Sequence, residues 1–232
     1  GWVKQGQIFV PQGQYDWVVS HAMLPIPERR GDDLYRIYFS GRDDRNRSLV
    51  GYVEIDIREP SRILKLSERP VLGLGELGTF DDNGVTPSWI LDHEGKKYLY
   101  YVGWNQGATV RMAEMAGLAI STDGGERFTR VSRAPILERT DREPLALLAA
   151  TCVRIENGTW RMWYVSGIEW VHRDFVKYDI KYAESGDGIH WKRDGKPCLG
   201  FKSAEEYALA RPCVLKDGSL YKMWFAYRQG QE

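Results

Sequence analysis

Four short stretches of the chain are apolar and aromatic at nearly every position: Tyr35-Arg36-Ile37-Tyr38-Phe39, Tyr98-Leu99-Tyr100-Tyr101-Val102, Trp160-Arg161-Met162-Trp163-Tyr164 and Tyr221-Lys222-Met223-Trp224-Phe225. Aromatic and branched residues in runs this short predict β-strands. The first aromatic recurs after 63, 62 and 61 residues, so the four are copies of one element in a repeat too long for a single hairpin. A turn with glycine precedes each copy (Gly31, Gly95, Gly158, Gly218), and ahead of it lies another apolar stretch: Val18 to Leu24, Val85 to Leu91, Ala149 to Ile155, Leu209 to Leu215. Each pair predicts a hairpin. After the second copy Gly117-Leu118-Ala119-Ile120-Ser121-Thr122-Asp123-Gly124 supplies a third strand and a tight turn, and Ile180-Lys181-Tyr182-Ala183-Glu184-Ser185-Gly186-Asp187-Gly188 does so after the third. Asp and Gly tolerate the positive φ of tight turns, so these acids are expected to shape turns.

An aromatic residue after each turn, Phe128 or Trp191, opens a fourth strand, and four antiparallel strands per repeat make the blade of a β-propeller. Outside short turns near Arg142 to Leu148 and Ser203 to Tyr207, no segment carries helical periodicity, so the fold class is all-β. The repeat places blades at about 15–68, 80–133 and 143–195 and a partial blade at about 205–232, in one propeller domain spanning 1–232. A propeller closes its ring to remove its edges. A ring that needs the rest of the fourth blade, and room for another, is therefore expected, with Ile8 to Val10 as a strand completing the last blade and with self-association through exposed strands.

Composition narrows the function. The chain has 32 Lys plus Arg against 32 Asp plus Glu, which gives no electrostatic footprint for nucleic acid or an anionic membrane surface. Aromatic residues reach 12%, and a mean hydropathy of −0.46 excludes a membrane helix bundle. The three cysteines, Cys152, Cys198 and Cys213, form no CxxC pair, and the four histidines show no ligand spacing. Free thiols, no metal, no cofactor and a cytoplasmic location are the expectation, with secretion as the alternative if a signal peptide is removed.

In a propeller the first strand of each blade lines the central channel, so residues just ahead of it converge at one mouth. Asp16, Asp81, Glu143 and Glu206 stand 19, 17, 17 and 15 residues before the repeat aromatic, with Asp82 beside one of them. Carboxylates confined together push one pKa upward and leave an acid beside a base, the equipment of glycosidic cleavage. His21 is placed level with Thr86, Thr151 and Arg211, where a cation could hold a sugar carboxylate or phosphate. Trp104 and Trp170 are expected as sugar-stacking platforms, and Cys152 and Cys213 as small apolar packing groups.

The segment Phe80-Asp81-Asp82-Asn83-Gly84-Val85-Thr86-Pro87, the aromatic second strands and the two Asp-Gly turns resemble the five-bladed propellers of glycoside hydrolase families 43, 32 and 130, bacterial carbohydrate-metabolising enzymes among them. The resemblance implies Asp16 as general base, Asp81 or Asp82 as the residue that tunes pKa, and Glu143 as general acid, with a carbohydrate as substrate. A family 130 type phosphorylase, with Arg211 and His21 holding phosphate, and a non-catalytic carbohydrate-binding propeller are the alternatives.

Overall fold

The structure, a computed structural model, describes residues 3–230. The first blade comprises β1 (Ser20–Arg29), β2 (Leu34–Arg42), β3 (Ser48–Asp56) and β4 (Ile63–Leu66). The second comprises β5 (Gly84–His93), β6 (Lys96–Gln106), β7 (Met112–Ser121) and β8 (Thr129–Arg130), and the third β9 (Leu147–Glu156), β10 (Thr159–His172), β11 (Phe175–Ser185) and β12 (Pro197–Leu199). A fourth begins with β13 (Glu206–Asp217) and β14 (Leu220–Gln229). Pairing is antiparallel within each blade, and blades are joined by short parallel contacts of β3 with β5, β7 with β9 and β11 with β13. The blades pack face to face, with Tyr38, Val50 and Tyr52 against Val85, Leu99 and Tyr101, then Tyr100, Met115 and Leu118 against Leu148, Met162 and Tyr164.

The Asp-Gly turns do the work expected of them. Ser121 Oγ donates to Asp123 Oδ1 at 2.6 Å while Gly125 N–H donates to Ser121 Oγ at 2.9 Å, and Ser185, Asp187 and Gly188 repeat the arrangement. Each turn lies under a tyrosine of the preceding blade. A Cβ on Gly125 (φ +88°) would lie 2.2 Å from Tyr38 Oη, and Tyr100 Oη donates to the Gly188 carbonyl at 2.8 Å.

These contacts correct the alignment of the repeats. Tyr38, Trp163 and Trp224 face Ile26, Cys152 and Cys213 across the hairpin, and the residue facing the corresponding Trp89 is Tyr100, not Tyr101. The run Tyr98 to Tyr101 has an aromatic on both faces, and a slip of one residue along a strand exchanges the faces. Ile8 to Val10 form no strand either; Phe9 packs its ring 5.4 Å from Phe39 instead.

Every inner strand is irregular at one level. The register shifts at Leu24-Pro25 in β1, Ser88 in β5, Ala150-Thr151 in β9 and Arg211-Pro212 in β13, where Leu24, Ala150 and Arg211 take φ between +47° and +55°. Bulges next to a channel re-aim side chains. They also separate residues expected at one level: Thr86 pairs two residues before the bulge, whereas Arg211 and Thr151 lie within it and His21 stands further toward the strand start.

Candidate functional site

Asp81 and Glu143 occupy matching places, but neither opens to the channel. Asp81 Oδ2 accepts hydrogen bonds from Tyr101 Oη at 2.9 Å and Arg130 Nε at 2.7 Å, and Oδ1 accepts one from Thr79 Oγ1 at 3.0 Å. Glu143 accepts from Tyr164 Oη and Ser166 Oγ, both at 2.9 Å, and from Arg193 Nε at 2.6 Å, with Lys181 Nζ 3.6 Å away. Arg130 and Arg193 each donate onward to a backbone carbonyl, of Gly73 and of Glu138. Both carboxylates are 1% exposed. A carboxylate–tyrosine–arginine lock thus recurs in two blades and ties the loop ahead of the inner strand to the sheet. In the first blade Trp17 fills the corresponding space: a Cβ on Gly41 would meet Trp17, as one on Gly103 would meet Asp81. Asp16 is exposed on a turn. Of the three acids expected to converge, Asp81 and Glu143 thus stand in buried locks with different partners, and Asp16 is a surface acid.

The remaining expected residues are dispersed. Asp82 accepts from Asn105 Nδ2 at 2.6 Å and Gly78 N–H at 2.8 Å, which organises its loop. Glu206 accepts from the Lys202 N–H at 2.6 Å and borders a separate hollow of about 300 Å³ with Phe225 and Tyr227. Trp170 packs with Leu147, Val165 and Val176. His21 is exposed, with φ +62° and Nδ1 2.8 Å from Ser20 Oγ. Arg211 lines a cavity of about 310 Å³ in the channel at the level of the bulges, with Leu24, Pro25, Pro87, Trp89 and Thr151. Burial lowers the Arg211 pKa, and none of the residues lining this cavity is a carboxylate.

Strand register brings other residues together. At the end of the channel where the inner strands begin, one row runs across the whole sheet: Arg42 faces Ser48, Ser48 faces Gly84, Gly84 faces Trp104, and Trp104 faces Glu114. Glu114 faces Leu147, a Cβ on Gly167 would lie 3.1 Å from that of Leu147, and the row closes through Tyr178 and Ala208 to Arg228. Directly opposed residues share a face of the sheet. Leu147 and Tyr178 cluster with Ala150, itself part of the cavity lining, so the row passes beside the channel cavity, although none of its own residues lines it.

Within the row Trp104 Nε1 donates to Ser48 Oγ at 2.8 Å, and the Arg42 guanidinium lies 5.6 Å from the Trp104 ring centre. The side chain of Trp104 fits only because Gly84 lacks a Cβ, which would lie 2.0 Å from Nε1. Glu114 is partly buried, and its carboxylate makes no hydrogen bond or ion pair among the described residues. Burial raises its pKa, against the opposing charges of Arg111 and Arg228. Arg228 also acts on Tyr178, so its guanidinium reaches from β14 towards residues of two other blades. Sequence reasoning singled out Trp104 from this row and missed Glu114, Arg42 and Arg228. Among the described residues no group of three or more His, Cys, Asp or Glu is placed to hold a metal.

One further acid is perturbed. Asp179, on β11 opposite Ser166, is buried beside the Glu143 lock with Oδ1 lacking a hydrogen-bond partner. Burial pushes its pKa up to about 6, with Glu143 adding to the rise and Lys181 opposing it.

No family model matches the chain. It is 40% identical over 228 residues to Uncharacterized protein MT1551 of Mycobacterium tuberculosis (strain CDC 1551 / Oshkosh), a match covering 98% of this chain and 76% of that protein. Uncharacterized protein Rv1502 of the same species (strain ATCC 25618 / H37Rv) matches with the same identity and coverage. The chain belongs to the family of these two mycobacterial proteins. Among solved structures, the BT0996 RGII complex matches with TM-score 0.67 and 19% identity, covering 93% of this chain and 70% of that one. The GH32 β-fructofuranosidase BmSUC1 of Bombyx mori matches with TM-score 0.64 and 15% identity, covering 89% and 41%. A thermostable family-43 glycoside hydrolase matches with TM-score 0.62 and 17% identity, covering 94% and 69%. The fold of this family member is thus the β-propeller of GH32- and GH43-type glycoside hydrolases.

Proposed function

We propose that the chain is a carbohydrate-recognising propeller of the glycoside hydrolase type, with its sugar site at the channel mouth. The row Arg42–Trp104–Glu114–Tyr178–Arg228 beside the cavity is the observation that carries this reading. An aromatic platform flanked by planar charged groups suits a sugar, whose C–H face stacks on a ring while its hydroxyls bind carboxylate and guanidinium edges. This reading gives Asp81 and Glu143 no catalytic part, because both are sequestered in ion pairs.

A second reading, cleavage of a glycosidic bond, is favoured by one feature. The raised pKa of Glu114 at the mouth is what a proton donor to a leaving group needs. One experiment separates the two: a panel of aryl glycosides with graded leaving groups, assayed with and without phosphate, beside calorimetric titration with oligosaccharides. Binding without turnover supports recognition alone. Turnover abolished by Glu114→Gln supports hydrolysis through Glu114, turnover only with phosphate supports phosphorolysis, and neither binding nor turnover of any glycan overturns the proposal.

A further inference from the structure

Arginine occupies the mouth row in both the first and the fourth blade. Arg42 of β2 and Arg228 of β14 stand where the second blade has Trp104, and where the third has Gly167. Arg211 lines the cavity beside the row, and Arg111 acts on Glu114 from the loop ahead of β7. None of these four guanidiniums has a carboxylate within ion-pair distance among the described residues, whereas Arg36, Arg130 and Arg193, away from the channel, are each paired. The row itself contributes a single carboxylate, Glu114, whose burial favours its neutral form. The nearby acids Asp43 and Glu169 are engaged by Arg47 and Lys177, and Asp82 is turned into its own loop. A chain with no formal net charge therefore carries four arginines without a carboxylate partner along this row and in the cavity beside it.

Arg42 adds a specific geometry. Its Nη1 donates to the Asn46 side-chain oxygen at 2.8 Å and lies 3.3 Å from the Asn46 carbonyl, which fixes the guanidinium beside Trp104; Nε is buried without a partner, and Nη2 makes no hydrogen bond among the described residues. A guanidinium held by one corner with a donor to spare is arranged to receive an oxyanion.

We infer that the glycan recognised at this mouth carries an acidic substituent, a carboxylate or a phosphate, held by Arg42 and Arg228 while a sugar ring stacks on Trp104. This rests on the sugar-site reading above and goes beyond it by fixing the charge of the ligand. The test is titration of the full chain with three probes at physiological salt: oligoglucuronate, a phosphorylated glucan oligosaccharide, and the neutral glucan oligosaccharide of equal length. The acidic probe of the fitting class binds at least about tenfold more tightly than the neutral one, and Arg42→Gln or Arg228→Gln removes that margin. Affinity for the neutral probe changes little in these variants, and all binding falls in Trp104→Ala. Preference for oligoglucuronate assigns a carboxylate; preference for the phosphorylated probe assigns a phosphate. Equal affinity for all three probes, lost in Trp104→Ala, overturns the acidic ligand and leaves the sugar site standing. Binding of none of them overturns the sugar site and the inference together.

Discussion

Replacing Asp179 by Asn stabilises the protein, and does so more as pH rises. The Asp179 carboxyl is buried opposite Ser166 with one oxygen unpartnered, and its pKa is pushed from 3.8 to about 6. The folded protein therefore holds the proton more tightly than the unfolded chain does. Below the unfolded pKa both states are protonated and folding carries no penalty; as pH climbs through the folded value the buried carboxylate ionises and the penalty becomes complete. At about 1.36 kcal/mol for each tenfold difference in proton affinity, ionisation costs about 3 kcal/mol at pH 8 and about 1 kcal/mol at pH 4.5. Asn cannot ionise and escapes this cost. Urea unfolding of both proteins at the two pH values should show Asp179→Asn more stable by about these amounts, with the m-value unchanged. A gain that is the same at pH 4.5 and pH 8, or a loss at pH 8, would refute burial of a charge as the cause and point to a role for the carboxylate in holding Lys181.

Three further outcomes follow from the same geometry. Arg130→Met strands the buried Asp81 and costs about 3–5 kcal/mol in unfolding free energy, whereas Arg193→Met costs less because Lys181 remains 3.6 Å from Glu143, a ranking that chemical denaturation reads directly. Gly125→Ala forces a Cβ to within 2.2 Å of Tyr38 Oη at φ +88° and lowers thermal stability by roughly 1–3 kcal/mol, while Gly31→Ala, with Leu34 Cβ as the nearest atom at 3.7 Å, changes the melting temperature little. Gly84→Ala places a Cβ 2.0 Å from Trp104 Nε1 and displaces the ring, so glycan affinity falls about tenfold in titration while the far-ultraviolet circular dichroism stays that of the parent.

The blade was legible in the sequence because its strands alternate with turn residues at a constant period, and because each Asp-Gly turn must sit under a tyrosine of the preceding blade. The site was not, for a physical reason. Counting residues back from an aromatic assumes loops and strands of equal length. Bulges at Leu24-Pro25, Ser88, Ala150-Thr151 and Arg211-Pro212 change which side chains meet. The acids so counted turned out to repeat for a structural purpose: Asp81 and Glu143 recur because each of their blades has its loop locked by an arginine and a tyrosine. Glu114, Arg42 and Arg228 are single residues at strand ends with no motif around them. Their relation exists only in the register that carries one row through the paired strands from β2 to β14. Trp104 was found because tryptophan before an irregular segment is conspicuous; its partner across the strand pair, Glu114, reads in sequence as one more surface acid.

The most direct measurement of the sugar site is the structure of the chain with a bound oligosaccharide. A sugar ring on Trp104, with its hydroxyls reaching Glu114 and its acidic group on Arg42 or Arg228, is the predicted result. A sugar seated against Asp81 or Glu143 after their locks have opened, or held in the hollow beside Glu206 with the mouth row empty, would contradict it.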